Sequence, residues 1–374
     1  MIKAGILSMQ RIANYGSFLQ AYGLKQLLEE LDCEVQFVDY HPGKTLIPAD
    51  GGTGLTRKFS KVVEAFQYNA PLKEKIRFIK YKKNYAANYY PYLGIDEQMN
   101  YTPEVDLLVI GSDEVFNCVQ SNTNVGFSPE LFGQGSRTKR LVTYAASFGN
   151  TTVQKLDQYK VREKVAGWLK QFDAVSVRDE NSGQVVECLT ENRPEYHLDP
   201  VLAYDFIGKC REIPASVSES AYMILYGYSG RFSKEECKEI RAYADSKKLK
   251  IFCIGGVQDC CDLFIDCDPF QVIAYFQHAT CVVTDTFHGT IMSIITHQKF
   301  VSVVRNSGYG NSEKLTDLLK RLELSDRIVD SITQINDMLE RAIDYTDTDY
   351  IIQRERVHTK TYLEQQICMV RGEL

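Results

Sequence analysis

The sequence predicts an α/β protein with two doubly wound domains and a helical C-terminal tail. Short β-branched runs alternate with amphipathic stretches of helix length, which indicates parallel sheets with helices on both faces. The alternation restarts after a polar, proline-containing stretch at residues 205–220, which has the character of a linker. A length of 374 residues also exceeds what one ordinary core holds.

The first half of the chain carries five predicted strands and one clear helix. The helix, at residues 17–31, places leucines at helical spacing on one face. The strands are predicted at residues 2–7, 35–40, 107–110, 141–145 and 174–177.

The second half repeats this pattern on a smaller scale. Its predicted strands lie at residues 222–226, 251–254, 281–284 and 300–304, and its predicted helices at 234–247 and 270–277. We therefore predict an N-terminal domain at 1–205, a second domain at 206–332 and a tail at 333–374. The tail is helical and charged, and one place for it is across the first domain.

A helical insertion at about residues 55–95 interrupts the first domain. Within it, residues 57–83 hold nine lysines or arginines and only two acids, interleaved with aromatic residues. The interpretation we favour is a solvated helical pair with an aromatic inner face. The alternative is a surface that contacts anionic partners, which would allow a peripheral membrane contact.

Composition argues against several classes of protein. The net charge of −6 argues against general nucleic-acid binding. The N-terminus does not resemble a signal peptide and no stretch approaches the roughly 18 apolar residues of a membrane span, so we expect a cytoplasmic protein. The eleven cysteines are odd in number and scattered, which argues against a disulfide framework. Cys253, Cys260, Cys261 and Cys267 cluster, but we favour buried thiols over a structural zinc there.

Ligands of open α/β sheets bind beyond the carboxyl ends of the strands, so polar residues there are site candidates. The strongest candidate is the segment VVTDTFHGTIMSII at residues 282–295. We expect a strand to end at Asp285, a short loop to hold His288 and Gly289, and a helix to begin near Thr290. Backbone and helix N-terminus would favour an anion there, with His288 as general acid or charged clamp. The alternative is a histidine that caps the helix.

Charged residues follow two strands of the first domain. Arg178 lies just past a strand, where it can grip phosphate or carboxylate, or form a structural pair with an aspartate. Asp179 is a natural N-cap for the next helix. Asp113 and Glu114 follow Ser112 at another strand end, and either carboxylate could accept a proton from an attacking hydroxyl. The alternative for Asp113 is that it caps a following helix.

The turn from the first strand to the first helix holds Asn14, Gly16 and Ser17. It is typical of a loop that contacts sugar or phosphate, and equally of a helix N-cap. We interpret Asp199 and Pro200, near the end of the first domain, mainly as structural. The sequence has no GxGxxG after its first strand and no GxxxxGK[ST], HExxH or GxSxG, so dinucleotide, P-loop, zincin and hydrolase sites are unsupported.

Seven motifs, taken in order, resemble those of the polysaccharide pyruvyl transferase family. They read GILxxQ, NYGSxLQAYxL, DxxVxGSDxxxN, SFG, SxRDExS, LDPV and VVTDxFHGTxxS. They occupy residues 5–10, 14–24, 106–117, 147–149, 176–182, 198–201 and 282–293, so the resemblance covers about residues 1–330. No single motif is decisive, but seven in this order are specific.

The resemblance implies a glycosyltransferase-B-like fold, in which two Rossmann-like domains face each other across a cleft. It implies phosphoenolpyruvate as the donor and a sugar or glycan, possibly lipid-linked, as the acceptor. The pyruvyl group would end as a ketal on a precursor of a cell-surface or exported polysaccharide. Neither a metal nor an organic cofactor is demanded.

The resemblance also suggests roles for individual residues. His288 would supply or steer a proton, Asp113 would act as base for the sugar hydroxyl, and Arg178 would hold the anion. Some members carry a basic residue where this chain has Thr286, so Arg305 and Lys314 are candidates for a missing donor contact. The remaining predicted substrate contacts are Asn14, Gly16, Ser17, Ser112, Phe287, Gly289 and Thr290.

Two other functions stay open at this point. The same architecture could host a glycosyltransferase that uses a nucleotide-sugar, although no clear ribose-binding glutamate follows His288. A non-catalytic relative could bind glycan through the same cleft. The sequence names neither the acceptor sugar nor the oligomeric state.

Overall fold

Residues 1–48, 68–217, 221–305 and 312–373 are described by the computed structural model of the chain. They form two parallel sheets of six strands each, with helices packed around both. The predicted α/β class with two Rossmann-like units and a helical C-terminus is confirmed. Residues 55–67 of the predicted basic insertion lie outside the described residues. The predicted domain boundaries at 205 and 332 stay predictions.

The first sheet has the strand order β2-β1-β3-β4-β5-β6, and all its neighbouring strands are parallel. Its strands are β1 (Ile2–Leu7), β2 (Cys33–Phe37), β3 (Glu104–Asp113), β4 (Arg137–Ala146), β5 (Ser176–Val177) and β6 (Glu195–Tyr196). The strand order reverses between β1 and β3. Ligands of open sheets bind at such a switch point.

The second sheet has the order β12-β11-β10-β7-β8-β9 and is also parallel throughout. Its strands are β7 (Tyr222–Tyr226), β8 (Lys250–Ile254), β9 (Leu263–Phe264), β10 (Val282–Thr284), β11 (Phe300–Val303) and β12 (Ile328–Val329). Its switch point lies between β7 and β10. The two switch points mark where the site of each half is expected.

Helices connect these strands and end the chain. In the described residues they are α1 (Tyr15–Glu29), α2 (Leu72–Leu93), α3 (Val153–Gln158), α4 (Arg162–Leu169), α5 (Glu180–Thr190), α6 (Pro200–Ala203), α7 (Phe206–Lys209), α8 (Lys234–Ser246), α9 (Pro269–His278), α10 (Phe287–Ile295), α11 (Ser312–Arg321), α12 (Ile335–Glu340) and α13 (Thr346–Arg371). None of them combines the length and apolar character that crossing a membrane requires.

Helix α1 joins the two halves. Asn14 caps it, because its side-chain Oδ1 accepts a hydrogen bond from the Gly16 N–H at 2.7 Å, so the helix begins two residues before the predicted start. Its rings of Phe18 and Tyr22 lie 5.8 and 4.9 Å, between centroids, from Phe270 of α9. The turn before α1 is thereby held against the second half of the molecule.

Helix α2 belongs to the predicted insertion and also bridges the halves. Tyr81, Tyr85 and Tyr89, at helical spacing, are all buried. The Tyr81 ring packs on Phe264 of β9 at 5.5 Å, and the Tyr85 hydroxyl donates to the Asn14 carbonyl at 2.9 Å. The predicted aromatic inner face is confirmed for the described part of the insertion, although that part forms one helix.

The C-terminal helix α13 packs across the first sheet. The Tyr362 hydroxyl donates to the Thr143 carbonyl of β4 at 2.8 Å, and the Arg140 guanidinium donates twice to the Gln366 side chain at 2.8 and 2.9 Å. Burial of Tyr362 and Leu363 seals this contact. The tail therefore packs across the first sheet, the place that the sequence analysis suggested for it.

Candidate active site

The two switch points face each other across a small cavity. The first half contributes the turn at residues 14–17 after β1 and the end of β3, and the second half contributes the residues after β7 and β10. The cavity has a volume of about 90 Å³, several times the roughly 10–15 Å³ that one water takes. Eight predicted site residues line it: Asn14, Ser17, Asp113, Arg178, Thr286, Phe287, His288 and Lys314.

A buried ion pair lies behind one wall of the cavity. Arg178 follows β5, and its Nη1 donates to Asp199 Oδ2 at 2.5 Å while its Nη2 donates to Asp113 Oδ1 at 3.2 Å. Only 2% of the Arg178 side chain is exposed, and its guanidinium lies 4.5 Å from the centre of the Phe287 ring. The structural pair with Asp199 is confirmed, and Arg178 also lines the cavity, so its role in holding an anion stays a prediction.

Asp199 is ionised because of its neighbours. Burial opposes its charge, but His288 and Arg178 outweigh burial and lower the pKa of Asp199 to about 2. Its Oδ1 accepts a hydrogen bond from the Val201 N–H at 3.0 Å, which caps α6 as the structural interpretation expects. The same carboxylate therefore caps a helix and neutralises the cationic wall of the site, a second role that the sequence did not show.

The helix that carries His288 begins earlier than predicted. Thr286 caps α10 by accepting a hydrogen bond from the Gly289 N–H at 3.0 Å, so the helix begins at Phe287. The prediction of a loop at His288 and a helix start near Thr290 is wrong. The alternative that His288 itself is the cap is wrong for the same reason.

His288 lies in the first turn of α10 and points across to the first half. Its Nε2 lies 3.6 Å from Asp199 Oδ2 and has no hydrogen-bond partner among the described residues. About 13% of the side chain is exposed. A histidine held beside a buried carboxylate can carry a proton, since the carboxylate stabilises the charged ring.

Gly16 is the close neighbour that leaves room for the His288 ring. A methyl carbon added at Gly16 would lie 2.3 Å from two ring atoms of His288. We expect Gly16→Ala to displace the ring and lower the free energy of unfolding by about 1–3 kcal/mol, as overpacking does. Urea denaturation measures this loss.

A second glycine provides the matched control for this prediction. Gly167 lies within α4, and an added methyl carbon meets nothing within 4 Å. Gly167→Ala is expected to be neutral or to stabilise by up to about 1 kcal/mol, because alanine favours the helix. Equal gains in both variants would contradict the packing described for Gly16.

Asp113 and Glu114 close the cavity on the side of the first sheet. Asp113 ends β3 in the left-handed region, with φ of 71°. Its Oδ2 accepts a hydrogen bond from the Ser17 hydroxyl at 3.0 Å. Turns and no helix follow it, so the alternative that Asp113 caps a helix is wrong. A carboxylate that already accepts a hydrogen bond from a hydroxyl is well placed to accept a proton from a substrate hydroxyl.

Lys314 reaches the cavity from the first turn of α11. Its Nζ pairs with the Glu114 carboxylate, which also accepts a hydrogen bond from Asn117 Nδ2 at 2.7 Å. Burial opposes the charge of Glu114, but Lys314, Asn117 and Arg178 outweigh it and lower the pKa to about 2. Lys314 thus supplies a positive charge at the cavity, as one of the two predicted candidates.

Three predicted contacts lie behind the cavity wall. Ser112 is fully buried and donates to the Ala145 carbonyl at 2.8 Å. Gly289 packs against Thr284, where a methyl carbon would lie 2.2 Å from the hydroxyl. The Thr290 hydroxyl donates to the Thr286 carbonyl at 3.1 Å. These three residues hold the strand ends and α10 in place and do not line the cavity.

Arg305, the other candidate for a donor contact, lies away from the cavity. It pairs with Glu236 and donates to Asp285 Oδ2 at 3.4 Å. Asp285 also accepts from Arg231 at 2.7 Å, and burial raises the pKa of Asp285 against the pull of the two arginines. This cluster therefore stabilises the ends of β10 and β11.

Residues that the sequence did not single out complete the cavity. Tyr228 follows β7 with about half its side chain exposed, and its hydroxyl accepts a hydrogen bond from Asn14 Nδ2 at 3.1 Å. Lys82 of α2 reaches the same space and donates to the Ala13 carbonyl. The strand-end rule could have found Tyr228, but nothing in the sequence places the insertion helix here.

The cysteine cluster predicted in the second half lies in the described part of the chain. Cys253, Cys260, Cys261 and Cys267 are buried. Among the residues that the structure describes, no cysteine belongs to a group of three side chains close enough to hold a metal. The predicted burial of these thiols is confirmed, and the absence of a structural zinc stays a prediction.

Sequence comparison agrees with the motifs that form this cavity. A sequence model of the polysaccharide pyruvyl transferase family matches residues 14–307, which include every predicted site residue except Lys314. The chain belongs to the polysaccharide pyruvyl transferase family. Membership of this family supports a transferase that acts on polysaccharide. No curated protein matches the sequence.

Solved structures similar to this pyruvyl transferase family member span most of the chain at low identity. The UDP-GlcNAc 2-epimerase of Methanocaldococcus jannaschii has a TM-score of 0.48 and 11% identity, over 95% of this chain and 99% of that one. A mutant O-GlcNAc transferase of Thermobaculum terrenum has a TM-score of 0.44 and 10% identity, over 99% and 67%. The calicheamicin glycosyltransferase has a TM-score of 0.43 and 12% identity, over 100% of this chain and 99% of that one. At these identities the likeness concerns the fold alone.

Proposed function

We propose that the protein transfers the pyruvyl group of phosphoenolpyruvate to hydroxyls of a sugar in a polysaccharide precursor, forming a ketal. The observation that carries this proposal is the convergence of His288, Arg178 and Lys314 on one small cavity in a member of this family. Phosphoenolpyruvate carries a carboxylate and a phosphate on one small frame. Arginine, lysine and a helix N-terminus are the groups that bind such anions.

The charges around the cavity suggest how the donor would bind. Three positive side chains, Lys82, Arg178 and Lys314, and the three carboxylates described above lie at or behind the cavity wall. A donor with two anionic groups therefore needs further positive charge, or a lysine that leaves its carboxylate partner. Protonation of His288 would supply the charge, and Lys314 would move from Glu114 to the donor phosphate.

The proposed reaction assigns one task to each group. His288 gives a proton to the methylene carbon of phosphoenolpyruvate, which builds positive charge on the central carbon. A sugar hydroxyl attacks that carbon while Asp113 accepts the hydroxyl proton, in the place where Ser17 now donates. The bond to phosphate then breaks, and the departing phosphate takes the proton from Asp113. A second hydroxyl of the same sugar attacks the central carbon and closes the ketal, while its proton returns to His288. Arg178 holds the donor carboxylate and balances Asp113 throughout.

The sugar acceptor needs a binding groove beside this cavity. A groove of about 670 Å³ lies next to it, between α5 and α11, and Lys314 lines both spaces. The groove is lined by polar side chains, among them Asn181, Gln184 and Asp317, which suit sugar hydroxyls. We assign it to the acceptor. The cytoplasmic location stays a prediction.

Calorimetry with phosphoenolpyruvate, beside UDP, GDP and CMP, tests the donor. We expect selective binding of phosphoenolpyruvate, weakened roughly tenfold to hundredfold in Lys314→Gln, because a charged hydrogen bond is lost. Lys247→Gln is the control, since Lys247 also pairs with a glutamate, Glu340, but on the surface.

Each other result points to a different function. Binding of a nucleotide with no binding of phosphoenolpyruvate would make the protein a nucleotide-sugar-dependent glycosyltransferase. Binding of phosphoenolpyruvate without turnover of any sugar would favour a non-catalytic glycan-binding relative. Equal binding by wild type and Lys314→Gln would remove Lys314 from the donor site.

A further inference from the structure

A group of metal-ligating side chains lies outside the cavity, where the C-terminal helix meets the first sheet. Glu195 belongs to β6, His197 follows it, and His358 lies on α13. One ligand atom from each lies within 4.8 Å of the other two. Among the residues that the structure describes, this is the one group of three with that property.

His197 is buried and has an unsatisfied ring nitrogen. It is 0% exposed, and its Nδ1 is hydrogen-bonded to the Ser176 hydroxyl at 2.7 Å. Its Nε2 has no hydrogen-bond partner among the described residues. Its ring stacks on His358 at 4.4 Å between centroids and packs against the tilted ring of Tyr362 at 4.6 Å. A buried polar atom without a partner is costly, so it marks a place where a ligand would be favourable.

The hydrogen bond at Nδ1 of His197 determines which ring nitrogen is available to a ligand. If Nδ1 donates its proton to Ser176, Nε2 carries the lone pair, and such a second hydrogen bond is typical of metal-ligating histidines.

We propose that Glu195, His197 and His358 bind one divalent transition-metal ion, with Zn²⁺ as the best fit to two imidazoles and a carboxylate. Zinc holds nitrogen and oxygen ligands at about 2.0–2.2 Å, which puts tetrahedral ligand atoms roughly 3.4 Å apart. The side chains of Glu195 and His358 are 49% and 46% exposed, so both can rotate to close the remaining distance. A water would take the fourth position.

The charges nearby are compatible with a cation. Arg321 is the adjacent positive group, and its Nη1 donates to the His197 carbonyl at 3.3 Å. Its guanidinium is paired with Glu355, so its charge is balanced. A metal here would tie β6, at the edge of the first sheet, to α13. It would therefore stabilise the packing of the tail, independently of the reaction proposed for the cavity.

Zinc titration of the full chain, without a histidine tag and after removal of metal by a chelator, tests this proposal. We expect one Zn²⁺ per chain by calorimetry and a rise in Tm of a few degrees with excess Zn²⁺. His358→Gln and Glu195→Gln change exposed side chains, so both should fold. Each should weaken zinc binding roughly tenfold or more, because each loses one ligand.

His297→Gln is the matched control. His297 also faces α13 and pairs with a carboxylate, Asp349, at 2.9 Å, but among the described residues it belongs to no group of three metal-ligating side chains. Its replacement should leave zinc binding unchanged, as should His288→Gln, which excludes binding in the cavity. The proposal fails if the wild type binds no zinc, or if His358→Gln and Glu195→Gln bind it as tightly as the wild type.

Discussion

Replacement of His288 by glutamine is expected to lower the rate of pyruvyl transfer roughly 10²–10⁴-fold, the usual contribution of a general acid. Glutamine keeps a polar side chain of similar reach in the first turn of α10, but it cannot deliver a proton. The Asp199 carboxylate, 3.6 Å from His288 Nε2, would then have no imidazolium ring to stabilise. The cost should therefore fall on the rate more than on donor binding.

Release of inorganic phosphate from phosphoenolpyruvate, in the presence of a panel of free and lipid-linked sugars, measures this rate. Calorimetry of the same variant should show phosphoenolpyruvate binding within a few-fold of wild type. His297→Gln serves as the control, because this surface histidine also pairs with a carboxylate but lies outside the cavity. A His288→Gln rate within a few-fold of wild type would show that another group supplies the proton.

Replacement of Asp199 by asparagine is expected to lower the free energy of unfolding by about 3–5 kcal/mol, the cost of removing one partner from a buried ion pair. Arg178 keeps its longer contact with Asp113 in this variant. The Asp199 carboxylate is 0% exposed and accepts a hydrogen bond from Arg178 at 2.5 Å. Asparagine can still cap α6, since both residues are good N-caps. The loss therefore reports on the charge and not on the cap.

Asp205→Asn is the matched control for this prediction. Asp205 also caps a short helix, α7, and pairs with an arginine, Arg356, at 3.3 Å, but about a third of its side chain is exposed. Its replacement should cost no more than about 1 kcal/mol. Urea denaturation of both variants measures the difference, and equal costs would contradict the burial argument.

Acid should destabilise the folded protein by protonating the Asp199 carboxylate. The pKa of Asp199 is about 2 in the folded protein against an ordinary value of 3.8. A group with a lowered pKa contributes stability that is present above its unfolded pKa and is lost as pH falls through the folded pKa. Stability should therefore fall between about pH 4 and pH 2, and less steeply in Asp199→Asn. Urea midpoints at pH 5 and pH 3 test this, and equal slopes would contradict it.

The sequence predicted the secondary structure best where the signal is local. Strands β1 (Ile2–Leu7) and β7 (Tyr222–Tyr226) match their predicted ranges, because a short β-branched or aromatic run between helices has few other uses in an α/β chain. The helix starts were less accurate. Asn14 and Thr286 cap α1 and α10 earlier than predicted, because several residues in each turn could act as the cap.

The sequence predictions also identified eight of the seventeen residues that line the cavity. They did not distinguish Lys314 from Arg305, or a cavity-lining threonine such as Thr286 from the buried Thr290. That distinction depends on which way each side chain faces once the strands and helices have packed. One residue of rotation along a helix moves a side chain from a cavity to the core.

What the sequence determined by itself was therefore the order of strands and helices, the family and the segments that carry the chemistry. Only the tertiary structure decided the role of Asp199, whose cap on α6 is local but whose partners Arg178 and His288 come from different halves of the molecule. The same holds for Lys82 and for the group of Glu195, His197 and His358. Caps and periodicity act between neighbours along the chain, whereas these contacts exist only after the two sheets and the tail have docked.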